Sequence, residues 1–93
     1  MDISIGIDQL IMELKEKTSS HQDFNKILEF YEMNEYGLAF EWICADFIEN
    51  DLPVSETGKI NLMNIFNHLN VESEKEWAEL VLENKLKALQ VSL

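Results

Sequence analysis

The chain has 93 residues with 18 acids, seven lysines and no arginine, so its formal net charge is −11 at pH 7. A chain of this length has room for one domain with one core, and its 46% share of hydrophobic residues excludes a disordered acidic tail. The charge argues against nucleic acids and anionic membranes as partners and favours a basic protein. A soluble acidic protein without such a partner is the alternative.

Helical spacing of apolar residues predicts a first helix that ends near Thr18, although Gly6 leaves a short extended start open. Its core face is Ile3, Ile7, Leu10, Ile11 and Leu14. Ser20 is the expected N-cap of a second, shorter helix that stops near Met33. The inner face of that helix is Phe24, Ile27, Leu28 and Tyr31.

The third helix is predicted between Asn34, as its N-cap, and the turn before Pro53. Its core face is Tyr36, Ala39, Phe40, Ile43 and Phe47, with Cys44 at the edge. The other face carries Glu35, Leu38, Glu41, Trp42, Ala45, Asp46 and Glu49. Trp42 is either covered by the first or fifth helix or exposed as an anchor for a partner.

Ser55 is the expected N-cap of a fourth helix, which ends at Asn70. The inner face of this helix is Leu62, Ile65, Phe66 and Leu69. A capping box, Ser73 to Glu76, begins a fifth helix with two apolar sides. One side is Trp77, Leu80, Val81, Ala88 and Val91, and the other is Leu82, Leu86 and Leu89. These elements predict an all-α fold, a compact bundle of about five short helices in a single domain over residues 1–93.

No group of residues in the sequence favours catalysis, a cofactor or a metal. His21 and His68 are far apart, Cys44 is the only cysteine, and the three glycines do not form a phosphate-binding loop. We therefore expect no enzyme, and we expect Cys44 to fill space in the core. The N-terminus, MDISIGIDQL, has no basic segment and no long apolar run, so we expect no signal peptide and a cytoplasmic location.

The acids are concentrated in the middle of the chain, because no base lies between Lys26 and Lys59. We expect the strongest negative field around the second and third helices and the turn that follows them. The residues expected to contact a partner are Glu29, Glu32, Glu35, Tyr36, Leu38, Glu41, Trp42, Asp46, Glu49 and Asp51.

The segment NEYGLAFE, from Asn34 to Glu41, continues through WIC and reaches LPVS at residues 52–55. It resembles the MafI-like immunity proteins of bacterial polymorphic toxin systems, a class that includes the CdiI proteins of contact-dependent growth inhibition. The resemblance covers about a quarter of the chain. It implies a small, acidic, mostly helical cytoplasmic protein that binds and neutralises one cognate toxin domain, often a nuclease. The residues of the shared pattern are Glu35, Tyr36, Gly37, Leu38 and Ala39.

Two functions follow as expectations. The first is an immunity protein, a monomer that forms a 1:1 complex with a basic toxin domain through its acidic surface. The second is an acidic helical adaptor or regulatory module that acts as a homodimer through an apolar face of the fifth helix. That face is Leu82, Leu86, Leu89 and Leu93.

Overall fold

The computed structural model describes residues 3–17, 24–71 and 83–90, and within these ranges it contains five helices and no strand. The all-α bundle expected from the sequence is therefore confirmed. The helices are α1 (Ile3–Lys17), α2 (Phe24–Glu32), α3 (Tyr36–Glu49), α4 (Glu56–Val71) and α5 (Glu83–Ala88). The predicted caps at Ser20 and at Ser73 to Glu76 lie outside the described residues.

Helices α1 and α4 pack closely and run antiparallel, because residues further along α1 meet residues earlier in α4. Gly6 is buried against Ile65, and a Cβ at position 6 would lie 3.3 Å from the Ile65 Cδ1 atom. One turn later, Asn61 Nδ2 donates to Gln9 Oε1 over 2.9 Å. Gly6 thus permits a close approach of the two helices, and α1 is helical from Ile3 rather than starting extended.

The core contains buried side chains from all five helices, and every apolar residue predicted for the inner faces of α1 and α4 is among them. Leu28, Tyr31 and Tyr36 are half-buried and pack against its edge. The buried cluster is Ile3, Ile7, Leu10, Ile11, Leu14, Phe24, Ile27, Phe40, Ile43, Cys44, Phe47, Leu62, Ile65, Phe66, Leu69, Leu86 and Leu89.

Asn34 ends α2 instead of capping α3, so the N-cap predicted there is wrong. Its φ is 60°, in the left-handed region that asparagine tolerates better than most residues. The N–H of Asn34 donates to the Tyr31 carbonyl over 3.1 Å, and the N–H of Glu35 donates to the Phe30 carbonyl over 2.9 Å. This pair of hydrogen bonds is a Schellman motif, which satisfies the last carbonyls of α2 and turns the chain directly into α3.

The same motif ends α3. Asp51 has φ 50°, and its N–H donates to the Ile48 carbonyl over 3.2 Å. The N–H of Leu52 donates to the Phe47 carbonyl over 2.9 Å, and Leu52 packs against the core. Pro53 follows at once, where a helix could not continue.

Ser55 caps α4 as predicted, and it does so together with Glu13 of α1. The Ser55 hydroxyl accepts from the N–H of Gly58 over 2.9 Å and donates to Glu13 Oε1 over 2.6 Å. Glu13 Oε2 also accepts from the Ser55 N–H and from Lys17 Nζ, both over 2.9 Å. Burial alone would raise the pKa of Glu13, but the hydrogen bonds from Ser55 and Lys17 hold that pKa below its ordinary value.

Replacing Gly58 by alanine is expected to lower the free energy of unfolding by about 1–3 kcal/mol, although alanine favours a helix by about 1 kcal/mol. A Cβ at position 58 would lie 2.6 Å from Glu13 Oε1 and 2.8 Å from Val54 Cγ1, so the cap must shift. Urea unfolding measures the effect. Thr57→Ala, at the exposed neighbouring position, is the control. A Gly58→Ala variant more stable than the parent would contradict this account of the cap.

Helix α5 docks through the side that the sequence left as a possible dimer face. Leu86 is fully buried and Leu89 is buried against the same core, whereas Ala88, on the other apolar side, is exposed. The expected face of Leu82, Leu86, Leu89 and Leu93 is therefore wrong at its two described positions; Leu82 and Leu93 lie outside the described residues. The described part of α5 packs against α3.

Candidate protein-binding surface

Most of the acids between Lys26 and Lys59 lie on the outer surface of the hairpin that α2 and α3 form. We call this the acidic hairpin and define it as residues 24–51. Five of its acids are exposed and Glu41 is half-buried. The exposed acids are Glu29, Glu32, Glu35, Glu49 and Asp51. The single base of the hairpin, Lys26, is exposed and lies 3.9 Å from Glu29, a surface pair that contributes little to stability.

Trp42 is half-buried, and its partner is an aromatic side chain that the sequence analysis did not single out. The rings of Trp42 and Phe30 have centroids 6.2 Å apart and planes inclined by 45°. Trp42 also touches the edge of the core, while Phe30 is half-buried on α2. Helix α2 thus covers one side of the indole, and part of the side chain stays open to solvent. The predicted cover from the first or fifth helix stays a prediction, because residues 72–82 lie outside the described residues.

Three further apolar side chains of the hairpin are exposed. Met33 is 60% exposed, Leu38 is 39% exposed and Ile48 is 38% exposed. Met33 follows Phe30 by three residues and Leu38 precedes Trp42 by four, so each lies on the same helix face as its aromatic neighbour. The hairpin therefore presents a strip of Phe30, Met33, Leu38 and Trp42 among its carboxylates.

Asp46 is the one candidate contact residue that the structure moves away from this surface. Its side chain is only 4% exposed, whereas the sequence placed it on the outer, acidic face. The side-chain amide of Asn50 donates to Asp46 Oδ1 and, over 3.0 Å, to the Asp46 carbonyl. Asp46 therefore belongs to the end of α3 and to the domain interior, and we leave it out of the candidate surface.

Tyr36 is half-buried and lies at the edge of the candidate surface. Its ring packs against Tyr31, with centroids 5.7 Å apart, and against the edge of the core. Its hydroxyl donates to Asn34 Oδ1 over 3.0 Å, across the turn between α2 and α3. The side chain thus braces the turn that carries Glu35.

Cys44 is fully buried in the core, as expected for a space-filling residue. Burial raises the pKa of its thiol to about 12, with Glu41 adding to the rise and Lys85 opposing it. A thiol that stays protonated and enclosed is neither a good nucleophile nor a good metal ligand.

Among the described residues there is no group of three or more His, Cys, Asp or Glu side chains that could hold a metal ion. His68 is half-buried on α4, and His21 lies outside the described ranges. In the same ranges no helix has the length and apolar character needed to cross a membrane.

A cleft of about 300 Å³ separates the turn after α3 from the end of α5, with Asp51 and Lys59 in its lining.

The sequence analysis found all six acids of this surface and two of its apolar residues, Leu38 and Trp42, but it missed the other apolar residues. Phe30, Met33 and Ile48 were not among the predicted contact residues. Phe30 could have been found, because it lies outside the stripe formed by Phe24, Ile27 and Tyr31 and so needs another neighbour.

No protein-family model matches the chain, and no curated protein or solved structure matches it significantly.

Proposed function

We propose that this chain is an immunity protein, which binds and neutralises a basic toxin domain through the acidic hairpin. The observation that carries the proposal is the combination on one hairpin of five exposed carboxylates with the partly open Phe30–Trp42 pair. The resemblance of the segment around Glu35 to MafI-like immunity proteins is a second support. A nuclease is the expected class of toxin, because an enzyme that holds phosphates is basic around its active site.

The charges support fast and selective association. Carboxylates on a rigid surface steer a positively charged domain towards them and repel other acidic proteins. Within the hairpin only Lys26 interrupts the negative field, at the start of α2. Attraction of this kind acts mainly on the association rate and weakens as salt is added.

The apolar strip supports a long-lived complex. Interface energy is concentrated in a few aromatic and large apolar side chains surrounded by polar groups. Trp42 is held by Phe30 on one side and by the core on another, so docking a partner on the indole orders little that is not already ordered. Met33 and Leu38 extend the apolar area on either side of this pair.

The turn that joins α2 and α3 supports a preformed surface. The Schellman motif at Asn34 and the hydrogen bond from the Tyr36 hydroxyl fix the angle between the two helices. Glu32 and Glu35 are therefore presented by a fixed backbone. A binding surface of this kind loses less conformational entropy when the partner arrives.

The alternative, a homodimer through the apolar face of the fifth helix, has lost its main support. Leu86 and Leu89, the two described residues of that face, are part of the domain core. A second chain could reach them only if α5 left its place against α3. We therefore carry the immunity proposal alone.

The direct test is co-expression of this chain with the protein encoded immediately upstream of it. A stable complex and relief of toxicity are expected if that protein carries a toxin domain. A toxin domain that neither binds the purified chain nor is made harmless by it would refute the proposal. An upstream protein without toxicity would remove the proposed pairing as well.

Reversal of two carboxylates tests where the partner docks. We expect Glu41→Lys with Glu49→Lys to slow association with the toxin domain by about tenfold or more at low salt and to flatten its salt dependence. Stopped-flow mixing at several salt concentrations measures both. The matched single variants are Glu49→Lys on the hairpin and Glu16→Lys at an exposed site on α1. Equal rates for those two singles would place the interface elsewhere.

A further inference from the structure

Two charged side chains of α1 bind the connection between α3 and α4. Glu13 Oε1 accepts from the Ser55 hydroxyl over 2.6 Å, and Glu13 Oε2 accepts from the Ser55 N–H over 2.9 Å. Lys17 Nζ donates to Glu13 Oε2 over 2.9 Å and to the Pro53 carbonyl over 2.7 Å. We call Glu13, Lys17, Pro53 and Ser55 the α1 clasp. Because the clasp binds residues on both sides of Val54, the connection cannot leave α1 without breaking three hydrogen bonds.

The negative charge of Glu13 holds the clasp together. A carboxylate accepts hydrogen bonds on both oxygens, whereas a protonated carboxyl group turns one oxygen into a donor. Hydrogen bonds to a charged acceptor are about twice as strong as those to a neutral one. The Glu13 side chain is only 13% exposed, so water replaces its lost partners poorly. Protonation would also remove the counter-ion of Lys17.

Ser55 links the state of Glu13 to the first turn of α4. Its hydroxyl donates to Glu13 and accepts from the N–H of Gly58 over 2.9 Å. The carboxylate therefore orients the oxygen that caps the helix. A protonated Glu13 could donate to that oxygen and would then compete with the Gly58 N–H for it.

We propose that the α1 clasp is an acid-released latch: protonation of Glu13 frees residues 53–58, and the first turn of α4 frays while the rest of the core stays folded. Pro53, Glu56 and Thr57 are exposed in this segment, so its opening uncovers little apolar surface. Helix ends with few buried contacts open at the lowest free energy. The proposal does not rest on the proposed function, because no residue of the clasp belongs to the acidic hairpin.

The direction of the switch follows from the groups around Glu13. Burial raises the pKa of Glu13, but the hydrogen bonds from Ser55 and the hydrogen bond and charge of Lys17 hold it below its ordinary value of 4.5. A carboxyl group whose pKa is lower in the folded state stabilises the fold above its ordinary pKa. This stabilisation is lost as the pH falls through the folded-state pKa. The latch is therefore closed at neutral pH and opens in acid.

The other charged residues near the clasp act on Glu13 less directly. Glu16 lines the same groove between α1 and α4, but it is exposed, so solvent screens its charge. In the first turn of α4, Glu56 is exposed. Lys59 lines the cleft beside α5 together with Asp51.

Amide hydrogen exchange of the full chain, followed by NMR, tests the latch at single residues. Glu13→Gln keeps the shape of the side chain and removes its charge, so it imitates the protonated state at pH 7. We expect the N–H groups of Ser55 and Gly58 to exchange about tenfold or more faster in this variant. Glu16→Gln makes the same chemical change at an exposed position of α1 and should leave both rates unchanged.

Low concentrations of urea show whether the opening is local. Exchange of the Ser55 and Gly58 N–H groups should be insensitive to urea, because fraying exposes little surface. Exchange of the Phe47 N–H, inside α3, should rise with urea, because it requires a larger unfolding.

Acidification of the parent chain gives a second, independent measurement. Protection of the Ser55 and Gly58 N–H groups, corrected for the intrinsic effect of pH on exchange, should fall to that of Glu13→Gln. This fall should follow the titration of the Glu13 carboxyl group, measured by carbon-13 NMR. Protection in Glu13→Gln should change far less over the same pH range.

Three results would overturn the proposal. The first is an exchange rate at Ser55 and Gly58 that Glu13→Gln does not alter. The second is exchange there that rises with urea as steeply as at Phe47, which would mean that the segment opens only with the whole domain. The third is protection that persists in the parent after Glu13 has taken up its proton. Circular dichroism of each variant verifies that the helices remain folded.

Discussion

Replacing Trp42 by alanine is expected to weaken the complex with the toxin domain by about 2–4 kcal/mol, which corresponds to roughly 30- to 1000-fold in Kd. The indole is the largest partly open side chain of the acidic hairpin, and it is held in place by Phe30. Removing it takes away apolar contact area and leaves Phe30 without its neighbour. Titration calorimetry with the toxin domain measures the change.

Two controls separate binding from folding in this experiment. Trp42 touches the core, so its removal also costs some stability, and urea unfolding of the free variant measures that part. Ile60→Ala removes a side chain that is 57% exposed on α4, outside the hairpin, and should leave the Kd unchanged. An affinity that survives Trp42→Ala would mean that the aromatic pair serves the fold alone.

Replacing Leu86 by alanine is expected to lower the free energy of unfolding of the single chain by about 2–5 kcal/mol. Leu86 is fully buried in the core that α5 shares with α3, and the smaller side chain leaves a cavity there. For a domain of this size the loss is a large part of the total stability. Urea unfolding at two protein concentrations measures it.

The second concentration distinguishes a core residue from an interface residue. A core leucine gives the same loss at both concentrations, whereas a leucine in a dimer face gives a loss that depends on concentration. Lys87→Ala, at an exposed position of the same helix, should change stability by less than about 0.5 kcal/mol. A Leu86→Ala variant as stable as the parent would contradict the placement of Leu86 in the core and would favour a dimer interface on α5.

Much of the fold could be predicted because α1 and α4 each bury one face against the same core. Ile7, Leu10 and Ile65 repeat at helical spacing, and this spacing alone assigns them to the interior. Ser55 was also predictable, because a hydroxyl just before a helix satisfies N–H groups that have no other partner. All six acids of the candidate surface were also predicted, because no base lies between Lys26 and Lys59.

The parts that were not predicted depend on contacts between residues on different elements. Asn34 was expected to begin α3, but the last carbonyls of α2 need donors, and an asparagine in the left-handed region supplies the turn that provides them. Asp46 lies near the boundary between the two faces of α3. Helical periodicity does not show whether neighbouring elements bury a residue at this boundary. The cover of Trp42 by Phe30 depends on the angle of the hairpin.

The sequence by itself determined that this protein is a small, acidic, all-α domain, since charge and apolar spacing are local properties of the chain. Only the tertiary structure decided which apolar side of α5 is interior and which carboxylates stay on the surface. The physical reason is that the fifth helix has two apolar sides, and helical periodicity alone does not show which of them is buried. Leu86 and Leu89 pack into the core, and this packing buries their side of α5.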